Sequence, residues 1–394
     1  MKGFNFIQKS VYVLILLAII LFTANCNSQD NNANNKGENN AKIRVGVFDG
    51  HGGAQTCIWE TMEACKLDSQ MEVRAITSSD IANKVLDSLD AIIIPGGGGS
   101  RQYLNLGEEN INKIKQFIAD GGGAVGICAG AYLFSNTPNY SCIKINGAKA
   151  IDIEHDNRGH GISAFSLTEE GKKLFPEYSS IDTLYCMYYE GPVFVPSDND
   201  TITYIEFATM LSDVHEEGNA PSNMTNNRPF CIGNTFGKGR VISVIAHPEA
   251  TPGKMWMIPR MVRWCLEDRF ELIQTFKNPD IVQDHKLANK EILMSIKDLK
   301  KESEIYQVLL YGEGEEKIEA LNWLESHFSW DAKRWIQGLL YDKEAKVRAR
   351  AAKYISNTHY LKYINDVRAA YTNETDSLAK QEIKIAYEHL EKLR

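Results

Sequence analysis

Gly121-Gly-Gly-Ala-Val-Gly126-Ile-Cys128-Ala-Gly130-Ala-Tyr132 is the stretch whose reading decides the fold. Ala124 to Ile127 is a short apolar strand that runs straight into Cys128, with Gly126 and Gly130 two residues to either side. A nucleophile on a tight strand-to-helix turn sits in strained backbone, and neighbours without a Cβ are required where chain crosses chain. The following helix aims its N-terminal N–H groups and positive dipole end at the sulfur, which favours thiolate over thiol. Alone, such a cysteine packs as a small hydrophobe. Its company decides between the two readings.

Working outward, strands alternate with helices. Ile43–Phe48 reads as a strand, Ala54–Leu67 as a helix, Met71–Ile76 as a strand and Ser79–Leu89 as a helix. Ala91–Ile94 follows as a fully apolar strand, then a helix over Glu108–Ala119. This alternation predicts a parallel sheet covered on both faces, a three-layer flavodoxin-like α/β domain. The third strand ends in Pro95-Gly96-Gly97-Gly98-Gly99, either a loose turn or a loop that brings bare backbone N–H groups to a ligand at the carboxyl edge of the sheet. A later strand, Arg240–Ala246, runs into His247-Pro248-Glu249. Proline favours extended backbone before it, and residues two apart in extended chain point to one side. His247 and Glu249 thus supply the base and the orienting acid that a cysteine nucleophile needs.

These three motifs, taken in order, resemble the class I glutamine amidotransferase-like superfamily. Phe48-Asp49-Gly50, Cys128-Ala-Gly-Ala-Tyr132 and Tyr188-Tyr189-Glu190-Gly-Pro192 resemble most the domain at the N-terminus of eukaryotic biotin–protein ligases, which also occurs alone in bacterial proteins. The resemblance spans about residues 42–268. It implies a nucleophile at Cys128, a base at His247, an acid at Glu249, and oxyanion donors at Ala129 and at Gly97 or Gly98. Asp49, Tyr132, Tyr189 and Glu190 are the expected substrate-lining residues. Two departures stand out. Tyr132 occupies the elbow-helix position where the glutamine-hydrolysing members carry Gln, and the chain has neither a synthase nor a biotin-ligase catalytic domain. Glutaminase and biotin transfer are therefore not the expected activities.

The N-terminus reads as a targeting segment. Lys2 and Lys9 precede an unbroken apolar run, Val11–Phe22, too short to span a bilayer comfortably. The run ends at Thr23-Ala-Asn25-Cys26, which resembles a bacterial lipobox with Cys26 as the lipidated residue, although Asn25 replaces the usual small residue. An ordinary signal peptide or an uncleaved anchor are the alternatives. Residues 26–41, rich in Asn and without a large apolar side chain, form a flexible tether. The expected location is the bacterial cell envelope, with the membrane engaged through the lipid.

A formal net charge of −8 argues against a nucleic-acid partner. Glu154-His155-Asp156 with His160 matches no standard zinc spacing, so neither metal nor cofactor is expected. The loop 212–228 is either a lid or a surface insertion. Cysteines 57, 65, 142, 186, 231 and 265 are read as buried free thiols.

Beyond a helix over Trp256–Leu266 the pattern changes. Residues 269–298 read as a helical connector, and no strand-like run appears from about Asp284. Leu309-Leu-Tyr311 recurs as Leu339-Leu-Tyr341, each before a turn and a second helix, so residues 299–394 resemble a short HEAT-like array of helix pairs. Such an array is either a surface for a protein partner or a rigid cap on the α/β domain. The sequence thus predicts an envelope-anchored Cys-His-Glu hydrolase of a small amide or peptide, or else a non-catalytic binding protein that uses the same crevice.

Overall fold

The computed structural model describes residues 41–198, 201–216, 220–276 and 285–394. The segments read as signal peptide and lipidation site, Cys26 included, lie outside the described residues. None of the described helices is long and apolar enough to cross a membrane.

The first half alternates as β1 (Ile43–Phe48), α1 (Gln55–Cys65), β2 (Met71–Ile76), α2 (Ser78–Ala82), β3 (Ala91–Ile94), α3 (Gly99–Ala119), β4 (Gly123–Ile127) and α4 (Ala129–Phe134). Then come β5 (Ala148–Ala150), β6 (His160–Leu167), α5 (Glu169–Leu174), β7 (Leu184–Tyr189), β8 (Phe194–Pro196), β9 (Ile205–Met210), β10 (Pro229–Phe236), β11 (Gly239–Val244) and α6 (Met257–Cys265). A two-residue β12 (Ile292–Leu293) leads to α7 (Ile296–Tyr311), α8 (Gly314–Ser326), α9 (Lys333–Leu339), α10 (Ala345–Asn357), α11 (Ile364–Asn373) and α12 (Ser377–Leu393).

The large sheet runs β12-β6-β9-β10-β11-β4-β3-β1-β2, with β7 also on β6. The run β11-β4-β3-β1-β2 is parallel, and its central strands are buried along their length, as a sheet with helices on both faces requires. The remaining strands join antiparallel, so the sheet is mixed rather than wholly parallel.

Three local readings differ from expectation. The helix expected over Ser79–Leu89 stops at α2, because the chain turns left-handed at Lys84 (φ 66°) and continues as a 3-10 turn over Val85–Ser88. Helix α3 begins at Gly99, nine residues before the expected Glu108, and kinks at Gly107. The connector 269–298 is not simply helical. Ile292 and Leu293 add β12 to the edge of β6, opposite Ile162 and Gly161, and a strand of two residues leaves no periodic trace in a sequence.

The turn at Cys128 is held by close packing. Cys128 adopts φ 49° and ψ −108°, a conformation that an L-residue keeps only where its surroundings impose it. A Cβ on Gly130 would lie 2.0 Å from the Ile94 carbonyl oxygen, and one on Gly126 would lie 2.8 Å from the Gly130 backbone. Strands β3 and β4 can therefore approach α4 only through glycine. Gly130→Ala should force the backbone apart and cost about 1–3 kcal/mol, as overpacking does; urea denaturation would read this as a lowered midpoint, and an unchanged midpoint would contradict the packing account.

Candidate active site

The carboxyl ends of β3, β4 and β11 meet at one crevice, a cavity of about 460 Å³ lined by Cys57, Gly97, Gly98, Cys128, Ala129 and His247 among others. Its far walls carry Tyr132, Tyr189 and Glu190. Nine of the expected site residues thus line or adjoin one space, since Glu249 is bonded to His247.

His247 follows β11 with its backbone tied across to β7: its N–H donates to the Met187 carbonyl (2.7 Å), and its own carbonyl accepts from the Thr251 hydroxyl (2.8 Å). Its Nδ1 lies 2.8 Å from Glu249 Oε1, both side chains being almost wholly buried. This pair fixes the ring and leaves Nε2 for the nucleophile. Burial disfavours the imidazolium, but the Cys128 sulfur and the Glu249 carboxylate outweigh it, and hydrogen bonds with Cys128 and Cys57 add to them. The His247 pKa therefore stands well above its ordinary value. The Cys128 thiol also contacts the Tyr189 carbonyl at 3.4 Å.

The glycine loop is more selective than the sequence reading allowed. Gly53 and Gly97 form an antiparallel bridge in which the Gly98 N–H donates to the Gly52 carbonyl (2.7 Å) and the Ala54 N–H to the Gly96 carbonyl (2.9 Å). Gly98 is thereby removed as an oxyanion donor. The N–H of Gly97 takes no part in this bridge, and Gly97 sits at φ +147°, with a Cβ position only 2.1 Å from the Gly52 carbonyl oxygen. Ala129 opens α4, so its N–H has no acceptor within the helix.

Asp49 does not line the crevice. Strand β1 lies beyond β3, and the Asp49 N–H is bonded to the Ile76 carbonyl, on the β2 side (2.8 Å). The chain from β1 reaches the crevice only through Ala54, Thr56 and Cys57. Tyr132 packs on Tyr140 with ring centroids 4.3 Å apart, and burial holds its hydroxyl protonated far above the ordinary phenol range. Of the acidic and histidine cluster 154–160, Asp156 lines the crevice while His160 stacks on Tyr189 (4.3 Å). The described residues of the loop 212–228 are pinned near the sheet by the Thr225 hydroxyl, which bonds the backbone of Ser212 and Val214, and none of them lines the crevice.

Several site residues escaped the sequence reading. Arg158 is fully buried, paired with Asp152 (2.8 Å) and bonded to the Tyr188 hydroxyl and the Gly191 carbonyl, so it shapes the turn that presents Tyr189 and Glu190. Cys57 looked like a core position of α1, yet its thiol lies within 4.8 Å of a His247 ring nitrogen, and burial pushes its pKa up to about 12. Cys57, His247 and Glu249 bring a thiol, an imidazole nitrogen and a carboxylate within 4.8 Å of one another, which is the donor set among the described residues that could hold a metal. The seven described cysteines are buried and free. Trp330, Asp331 and Arg334 reach the crevice from the C-terminal helices, and the Trp330 ring packs at a tilt on His247, centroids 4.4 Å apart.

Residues 43–263, more than half of the chain, match the family described as biotin-protein ligase, N terminal, and the chain belongs to that family. The matched region is the mixed, mostly parallel sheet flanked by helices, and a helical C-terminal region follows it. Similar solved structures include a ThuA-like protein from Parabacteroides merdae, 13% identical with a TM-score of 0.44, over 61% of this chain and 94% of that one. The glutaminase domain of Trypanosoma brucei CTPS is 14% identical with a TM-score of 0.38, over 60% of this chain and 98% of the other. The cold-adapted β-galactosidase of Rahnella sp. R3 is 14% identical with a TM-score of 0.37, over 61% of this chain but 33% of its own. No curated protein matches the chain.

A raised His247 pKa has a consequence for stability. The stabilisation carried by the charged ring is fully present below the unfolded value, about pH 6.5, and is lost as the pH rises through the folded one. The stability difference between wild type and His247→Gln, measured by urea melts, should therefore shrink as pH rises above that point. A difference that grows with pH would refute the assigned direction.

Proposed function

We propose that this protein is a cysteine-dependent hydrolase of a small amide or peptide, held at the bacterial cell envelope by a lipid on Cys26. The observation that carries the chemistry is the buried pair in which Glu249 grips His247 beside the strained Cys128, whose sulfur helps to hold the imidazole charged. In the proposed reaction the Cys128 sulfur attacks the amide carbon, and the carbonyl oxygen becomes an oxyanion held by the N–H groups of Gly97 and Ala129. His247 delivers the proton to the departing amine as the C–N bond breaks, leaving a thioester. Water, deprotonated by His247, then attacks the thioester and releases the acid, and the proton returns to the sulfur.

Tyr132, Tyr189 and Glu190 are assigned to the substrate, and the size of the crevice suits a small molecule or a peptide end rather than a folded protein. The lipid assignment rests on the apolar run before Cys26 and the Asn-rich tether after it. A binding protein without turnover would need no base gripped by a buried acid, so the relay favours catalysis over the binding-only reading.

The test is amine release from a panel of small primary amides and short peptide amides by the purified protein. Cys128→Ser should lower turnover by at least about 10³-fold, and His247→Ala by about 10²–10⁴-fold. Turnover that survives Cys128→Ser would end this reading. For the anchor, Cys26→Ser should move the protein from the membrane to the soluble fraction of the envelope.

A further inference from the structure

We propose that the C-terminal helices are the second half of the active site, and that Trp330 is the residue through which they act, as a positioning residue for the His247 imidazole. The inference rests on the hydrolase reading above and extends it to a part of the chain outside the matched family region, residues 43–263.

Trp330 lies in the turn before α9 and is almost completely buried. Its ring sits 4.4 Å from the His247 ring and 5.9 Å from the Tyr189 ring, so it covers the base on the face that the sheet leaves open. Its indole N–H donates to Glu60 Oε2 at 2.8 Å, and Glu60 belongs to α1, one turn after Cys57. The other oxygen of Glu60 accepts from Lys333 Nζ at 2.6 Å, and the same ammonium donates to the Ala250 carbonyl at 3.2 Å, the residue directly after Glu249.

Glu60, Lys333 and Trp330 are all buried, in a contact where an unpaired charge is costly. That cost makes the docking specific. One indole therefore excludes water from the His247 ring and resists its rotation away from Glu249, while Lys333 fixes the turn that carries both. Asp331 and Arg334 line the mouth of the same crevice. The helical region thereby belongs to the site as its cap, rather than standing off as a surface for another protein.

The experiment is the rate of Cys128 alkylation by iodoacetamide against pH on the full chain, located by mass spectrometry. It compares wild type, His247→Ala, Trp330→Leu, Trp330→Phe and, as a control on the same helices, Trp335→Ala. Trp330→Leu stays apolar but loses the ring and much of its volume, and it should slow labelling at neutral pH by about 10- to 100-fold and displace the pH profile, as misplaced catalytic groups do. Trp330→Phe retains an aromatic ring against His247 and should restore most of the rate and the wild-type profile, although its bond to Glu60 is gone. Trp335→Ala should leave both unchanged. If His247→Ala alters the profile and both Trp330 variants label like wild type, the positioning role is overturned and the hydrolase reading stands. If His247→Ala itself labels like wild type, the relay falls and this role falls with it. Should Trp330→Leu fail to fold, Trp330→Phe decides alone: a profile unlike wild type, with folding intact by circular dichroism, overturns the role assigned to the aromatic ring on His247.

Discussion

The backbone at Cys128 is the constraint on which the rest depends. A φ of 49° with ψ of −108° has no intrinsic support in an L-residue, so the packing around it has to be tight and one-sided. Gly130 lies against the Ile94 carbonyl and Gly126 against Gly130, which pulls α4 onto β3 and β4 and leaves the sulfur at the carboxyl edge of the sheet. Strand β11, parallel to β4 from Arg240 to Val244, then delivers His247 to the same edge, and the backbone of β7 fixes its height. The site is the meeting point of neighbouring strands, so its geometry is as rigid as the sheet.

Charge around that point is arranged by burial. Glu249 and His247 are both inaccessible to water, and the Cys128 sulfur adds to the field that holds the imidazole charged. Cys57, a second buried thiol beside the same ring, stays protonated because nothing near it offsets its desolvation fully. Two buried cysteines thus lie beside one histidine, one in a strained turn of backbone and the other in the first turn of α1.

Arg158 and Glu60 illustrate a second kind of control. Each is a charged side chain buried with its partners, and each shapes a wall of the crevice instead of facing the substrate. Arg158 ties the chain before β6 to the turn after β7, which places Glu190 at φ 49° with Tyr189 beside it. Glu60 receives Trp330 and Lys333 from helices more than two hundred residues later in the chain. Buried ion pairs of this sort add little to stability over apolar packing, but they make one arrangement far better than its neighbours.

Local sequence was sufficient for everything that depends on near neighbours. The elbow could be read from Gly126, Cys128 and Gly130 because strain at one residue demands particular residues two positions away. The pairing of His247 with Glu249 was suggested by their spacing, but a 3-10 turn over Pro248–Ala250, not extended backbone, brings the carboxylate to the ring. The α/β pattern was legible in its apolar strands and helical spacing, and the C-terminal helices in their period. What the sequence left open depends on atoms distant along the chain. Whether Gly97 or Gly98 offers its N–H was settled by Gly52, on another loop, and the exclusion of Asp49 by the order of strands. The role of Cys57 was hidden because a buried thiol facing His247 has the same helical spacing as one facing the core. Trp330 carries no local signal at all: an indole in a turn acquires its meaning only when α1 supplies Glu60 and β11 supplies His247, and that encounter exists only in the folded chain.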